Sequence, residues 1–127
     1  MRKTHWMLLL ATVLVLGVSL GNMYLLNYGV KELDEILKPM EELIFQEQWE
    51  QAQALFEEAD KTWRYDRNLW QITIDHVETE NIEVAFSQLQ SGLALQDINT
   101  AITGLYLLRH NIEHLLYIER LSWQNIL

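Results

Sequence analysis

His76, His110 and His114 are the residues whose types and spacing could carry chemistry. His110 and His114 stand four apart, a spacing that puts two imidazoles on one helical face and suits two ligands on one ion. Glu78, Glu80, Glu83 and Glu113 lie near them in sequence, so nitrogen and oxygen donors for a divalent metal are at hand. Imidazoles also titrate near neutrality, so the same set would serve a pH sensor. Against this stands the plain reading of hydrogen-bonded structural histidines. The chain has no His-Glu-x-x-His motif and no Glu-x-x-His pair of the di-iron bundles. It also lacks a phosphate loop, a nucleophile elbow and any cysteine, which removes thiol catalysis, thiolate metal sites and disulfides. The residues therefore point away from an enzyme and call for no cofactor. The ten carboxylates between residues 32 and 60 include no Asp-x-Asp-x-Asp-Gly loop and read as a solvated helix face.

The elements that would position these histidines begin with an apolar helix. From Trp6 to Val30, 25 residues pass without a charged side chain, directly behind Arg2 and Lys3. About 20 apolar residues suffice to cross a bilayer. A cleaved signal peptide would carry a shorter apolar core and a small-x-small site; this stretch is too long and lacks that site, so an uncleaved signal anchor over residues 1–30 is expected. The basic pair touching its start favours a cytoplasmic N-terminus, with residues 31–127 outside the cell membrane. Gly17 and Gly21 form a Gly-x-x-x-Gly pair, the pattern that lets a second membrane helix approach closely.

Residues 31–127 hold 18 acidic side chains against 7 basic ones, a net charge of −11. Such a surface repels nucleic acid. The length allows one small domain. A single proline, few glycines and no strict apolar alternation exclude a sheet. The expected fold is all-α: one N-terminal transmembrane helix, then a small antiparallel helical bundle with helices at about 31–47, 48–77, 80–96 and 97–120. Pro39 should bend the first of these, so that a separate piece covers 40–47.

Trp49, Phe56, Trp63, Trp70 and Val77 recur every seven residues, with Ala52, Ala59, Asp66 and Thr73 between them. That is a heptad seam for a partner helix. Trp49, Ala52, Phe56, Trp63 and Trp70 are assigned to the bundle core. Asp66 interrupts the seam and should point outward or pair with an arginine, because a buried lone carboxylate is costly. The polar run Asp75–Asn81 marks a turn and a new helix near Ile82 carrying Val84, Phe86, Leu89, Leu93 and Leu95. Asp97 caps the last helix, whose stripe includes Leu105 and Ile112 as core positions. A second face on that helix, with Thr103, Leu107, His110, His114, Ile118 and Leu121, should be sandwiched or bury against a partner. An antiparallel hairpin turning at 96–97 would set His110 and His114 level with the turn holding His76.

The anchor, Gln48-Trp49-Glu50-Gln51-Ala52, Trp63, Trp70, Asp75-His76, Asn81-Ile82, Ile112-Glu113-His114 and the closing Asn125-Ile126-Leu127 together resemble a bacterial family of unknown function, number 4363, found mainly in Gram-positive spore formers. The resemblance covers nearly the whole chain. It implies a small membrane-anchored helical protein, encoded beside multi-pass membrane proteins, and hence an accessory subunit. By position Trp49, Ala52, Trp63, Trp70, His76 and His114 would define the family here. The family's Gly/Glu-Asp-Trp turn stands in this chain as Glu47-Gln48-Trp49, without the capping aspartate.

Two functions are expected from these readings. One is a non-enzymatic adaptor that binds an integral membrane partner through the Gly17/Gly21 face and the outer bundle, or associates with itself. The other is an extracytoplasmic metal- or pH-sensing bundle centred on His76, His110 and His114.

Overall fold

The computed structural model describes residues 2–70 and 75–126. These form α1 (Arg2–Leu37), α2 (Met40–Phe45), α3 (Trp49–Trp70), α4 (His76–Leu95) and α5 (Ile98–Ile126), with no strand among the described residues. The fold is all-α, a long apolar N-terminal helix leading into a helical bundle.

No break separates an anchor ending at residue 30 from a bundle starting at 31. α1 runs on to Leu37 and stops only where Lys38 precedes Pro39, a residue pair that disfavours continued helix. Leu26, Gly29, Val30, Leu33 and Leu37 are buried, at the three-four spacing of a helix face turned to a core. The preceding stretch from Trp6 to Leu25 is exposed almost throughout and apolar. One helix thus has a bare half and a packed half.

Beyond Pro39, α2 is short. It ends with Glu47 in the left-handed region at φ 56°, where Gln48 N donates to Leu43 O at 2.8 Å and Glu47 N to Ile44 O at 3.0 Å, the bonding of a Schellman close. α3 follows and buries Ala52, Phe56, Ala59, Trp63, Asp66 and Trp70, while Trp49 is half-buried against the same core. The expected helix over 48–77 is divided. Residues 71–74, including Thr73 of the seam, lie outside those described. Asp75 takes an extended conformation at φ −64°, ψ 143° and α4 starts at once with His76, earlier than residue 80. Val77 therefore sits in the first turn of α4, exposed, and takes no place in the α3 seam.

Phe56 and Trp63 reach Phe86 of α4 at ring separations of 5.9 and 6.2 Å. Ile82, Ala85, Phe86, Leu89, Gly92 and Leu93 are the buried positions of α4. Val84 and Leu95 are exposed, each lying off that stripe at about 100° per residue. The α4–α5 turn has Gln96 left-handed at φ 52° and Asp97 N donating to Gly92 O at 2.9 Å. Asp97 then caps α5, accepting from Asn99 N at 3.2 Å and Thr100 Oγ1 at 2.7 Å. α5 continues past 120 to Ile126 because no glycine or proline follows Gly104.

The helices alternate in direction. Gly29 meets Asp66 and Trp70, Arg67 pairs with Glu83, Asn111 bonds the Asn81 carbonyl, and Arg109 pairs with Asp34. Among the described residues α1 packs on α3 and α5, and α4 packs on α3 and α5, with no α1–α4 contact. The C-terminal half of α1 is therefore one corner of an up-down-up-down four-helix bundle, and α2 bridges two corners.

Candidate functional site

The crossing of α1 and α3 is where the exposed half of α1 becomes the packed half. Gly29 makes a close approach there: a β-carbon would collide with the Trp70 ring and stand 2.8 Å from Asp66 Oδ2, so a larger residue would have to displace those side chains. Trp70, which the glycine meets, packs edge to face on Trp63 at 6.0 Å.

Asp66 neither points outward nor pairs with an arginine. It is only 7% exposed, and its Oδ2 is buried without a hydrogen-bond partner. Both arginines near it in sequence are engaged elsewhere, Arg64 with Asp60 at 3.1 Å and Arg67 with Glu83 of α4. The seam geometry explains the burial, since position 66 continues the buried Ala52, Ala59 line of α3. Burial, and then the Glu32 carboxylate on α1, push the Asp66 pKa from 3.8 up to about 6.

The histidines do not gather. His110 and His114 stack at 6.2 Å with nearly parallel rings, and His114 stacks on Tyr117 at 6.0 Å. This ladder runs along the surface of α5. Asn111 bonding the Asn81 carbonyl at 3.2 Å fixes the hairpin register near the expected one. His76 is nonetheless exposed, because the buried stripe of α4 extrapolates back to residues 78–79 and position 76 falls on the far side. His110 is likewise about 200° from the buried Leu108. Among the described residues no group of three or more His, Asp or Glu could hold a metal ion, and His76, His110 and His114 make up no such group. The rest of the second α5 face also stays at the surface: Thr103 and Leu107 are exposed and Ile118 half-buried, and the Leu121 side chain lies outside what is described.

Gly17 and Gly21 meet nothing within 4 Å, on a part of α1 where the surrounding side chains are exposed and apolar. Trp6 to Leu25 spans about 30 Å as a helix, the thickness of a bilayer's hydrocarbon core. This helix is long and apolar enough to cross a membrane. Of the core positions read from sequence, Ala52, Phe56, Trp63, Trp70, Leu105 and Ile112 are buried and Trp49 half-buried.

A family model described as Domain of unknown function (DUF4363) matches residues 20–126. The chain belongs to this family. The DUF4363 match begins six residues before Leu26, the first buried side chain of α1, and so takes in all four corners of the bundle and little of the exposed apolar run. No curated protein and no solved structure matches the chain.

Sequence reasoning missed Gly29 at this crossing and misplaced Asp66. The legible signal was the stripe Leu26, Gly29, Val30, Leu33, Leu37, which carries helical core spacing through the supposed boundary. A glycine in that stripe marks a close approach.

Proposed function

We propose that this protein is a membrane-anchored, non-enzymatic accessory subunit that holds an integral membrane partner. The observation that carries the reading is α1, whose apolar outer half passes without a break into a packed corner of the bundle. A lone anchor needs only a tether, and a flexible linker would serve. A helix shared between membrane and bundle instead fixes the bundle's height and orientation above the bilayer. Arg2 and Lys3 favour a cytoplasmic N-terminus and an acidic bundle outside. Gly17 and Gly21 offer the partner's helix a close approach.

Cross-linking of the intact protein in its native membrane, then gentle extraction and mass spectrometry, tests this. One dominant multi-pass partner is expected, with recovery reduced by Gly17→Leu combined with Gly21→Leu. Recovery of the protein alone would replace the partner with self-association.

A further inference from the structure

We propose that the groove between α1 and α3 receives a basic side chain from the membrane partner, with Asp66 as its anchoring carboxylate. The groove has a volume of about 540 Å³. Its lining holds three carboxylates, Asp66, Glu32 and Glu58, against one cation, Lys61. Acidic residues alone would be an ordinary solvated face. Asp66 differs because it lines this groove while more than nine-tenths buried, and its Oδ2 has no donor. Lys61 does not supply one: among the described residues the ion pairs join Arg64 to Asp60, Arg67 to Glu83 and Arg109 to Asp34.

The rim states what carries the cation. Leu25, Tyr28 and Leu69 border the groove and are exposed. Leu25 and Tyr28 sit where α1 leaves its bare apolar run, which under the anchoring proposed above is the outer membrane surface. A segment entering there would bring apolar residues to the rim and place an arginine or lysine over Asp66. An arginine fits best, since its guanidinium stays charged and gives a carboxylate a charge-assisted hydrogen bond. This inference rests on the accessory-subunit reading for the source of that side chain.

The test uses the full chain in phosphatidylcholine nanodiscs with carbonyl-labelled aspartate, and two blocked tripeptides, Leu-Arg-Leu and the neutral Leu-citrulline-Leu. The Asp66 carboxyl resonance, assigned by its loss in Asp66→Asn, should shift saturably with the arginine peptide only. The backbone shifts around the groove should show affinity falling about tenfold or more in Asp66→Asn and rising in Lys61→Gln. Equal binding of the citrulline peptide, or unchanged affinity in Asp66→Asn, would overturn the proposal. Asparagine is a near-isostere that removes a buried charge, so the variant keeps the fold. Specific peptide binding without a cross-linked partner would remove the accessory role and leave the groove; a cross-linked partner without peptide binding would remove the groove alone.

Discussion

Gly29 of α1 lies directly beneath the Asp66 carboxyl of α3, so near that a β-carbon on residue 29 would stand 2.8 Å from Oδ2. The missing side chain admits the carboxyl into the crossing, and the crossing gives Oδ2 no hydrogen bond in return. A heptad position that would hold an alanine or leucine for stability holds instead a buried acid. Stability is lower than this seam could provide, and the loss depends on pH.

The folded Asp66 pKa of about 6 lies above its ordinary value of 3.8. The folded state keeps a proton that the unfolded state releases, so the acid's cost is fully present above about pH 6 and fades as pH falls toward about 4. At neutral pH that cost is on the order of 2–3 kcal/mol. Asp66→Asn should therefore melt several degrees higher than the parent at neutral pH, with the difference closing near pH 4. Melting curves that coincide across this window would show that the carboxyl is solvated in the folded protein.

Gly29→Ala inserts a methyl group between Asp66 and the Trp70 ring and should cost about 1–3 kcal/mol by overpacking. Gly17→Ala makes the same chemical change where nothing lies within 4 Å and should leave bundle stability unaltered. Denaturant unfolding of the two variants separates a packing glycine from a tolerated one. Equal stabilities would place α1 and α3 farther apart than the crossing described.

The α4–α5 pair is tighter still, because a β-carbon at Gly104 would lie 2.5 Å from Leu89 N and 2.8 Å from Leu89 Cα. Backbone atoms cannot swing aside, so the whole helix must move. Gly104→Val should cost about 3 kcal/mol and speed hydrogen exchange in both helices. Exchange rates unchanged in α4 and α5 would contradict this packing.

The helices were legible in the sequence because the Trp49-to-Trp70 seam and the stripe of the last helix through Leu105 and Ile112 repeat over several turns, and long periodicity survives local noise. The α4–α5 turn was legible from Asp97, whose side chain does cap. Two features were hidden for one reason. Uncharged residues 6–30 look uniform to a hydropathy count, so the change from bare to packed α1 at Leu26 leaves no mark there; only the spacing of Leu26, Gly29, Val30, Leu33 and Leu37 records it. Without that corner, position 66 had no helix to face, and an outward aspartate was the cheaper arrangement. The histidines failed differently. Their height along the hairpin followed from chain length, but their direction depends on 100° steps, and with α4 expected to begin at 80, His76 had no place on a helical face.

Arg109 Nε donates to Asp34 Oδ1 at 3.1 Å across the α5–α1 interface, and both side chains are partly shielded, at 24% and 35% exposure. One turn earlier on α5, Tyr106 donates to Glu41 Oε1 at 2.6 Å, so two polar links tie α5 to the chain that enters and leaves the Pro39 bend. The value of the Arg109–Asp34 link is modest, because water still reaches both partners, and about 0.5–1 kcal/mol is expected from a double-mutant cycle with Arg109→Met and Asp34→Asn. Salt should erode that coupling, whereas the Gly29 and Gly104 penalties, being steric, should not respond to salt. If α1 is a true corner of the bundle, breaking the pair also lowers protection in residues 26–37 and not in the exposed run before them. Loss of protection confined to α5 would mean that α1 leans on the bundle without belonging to it.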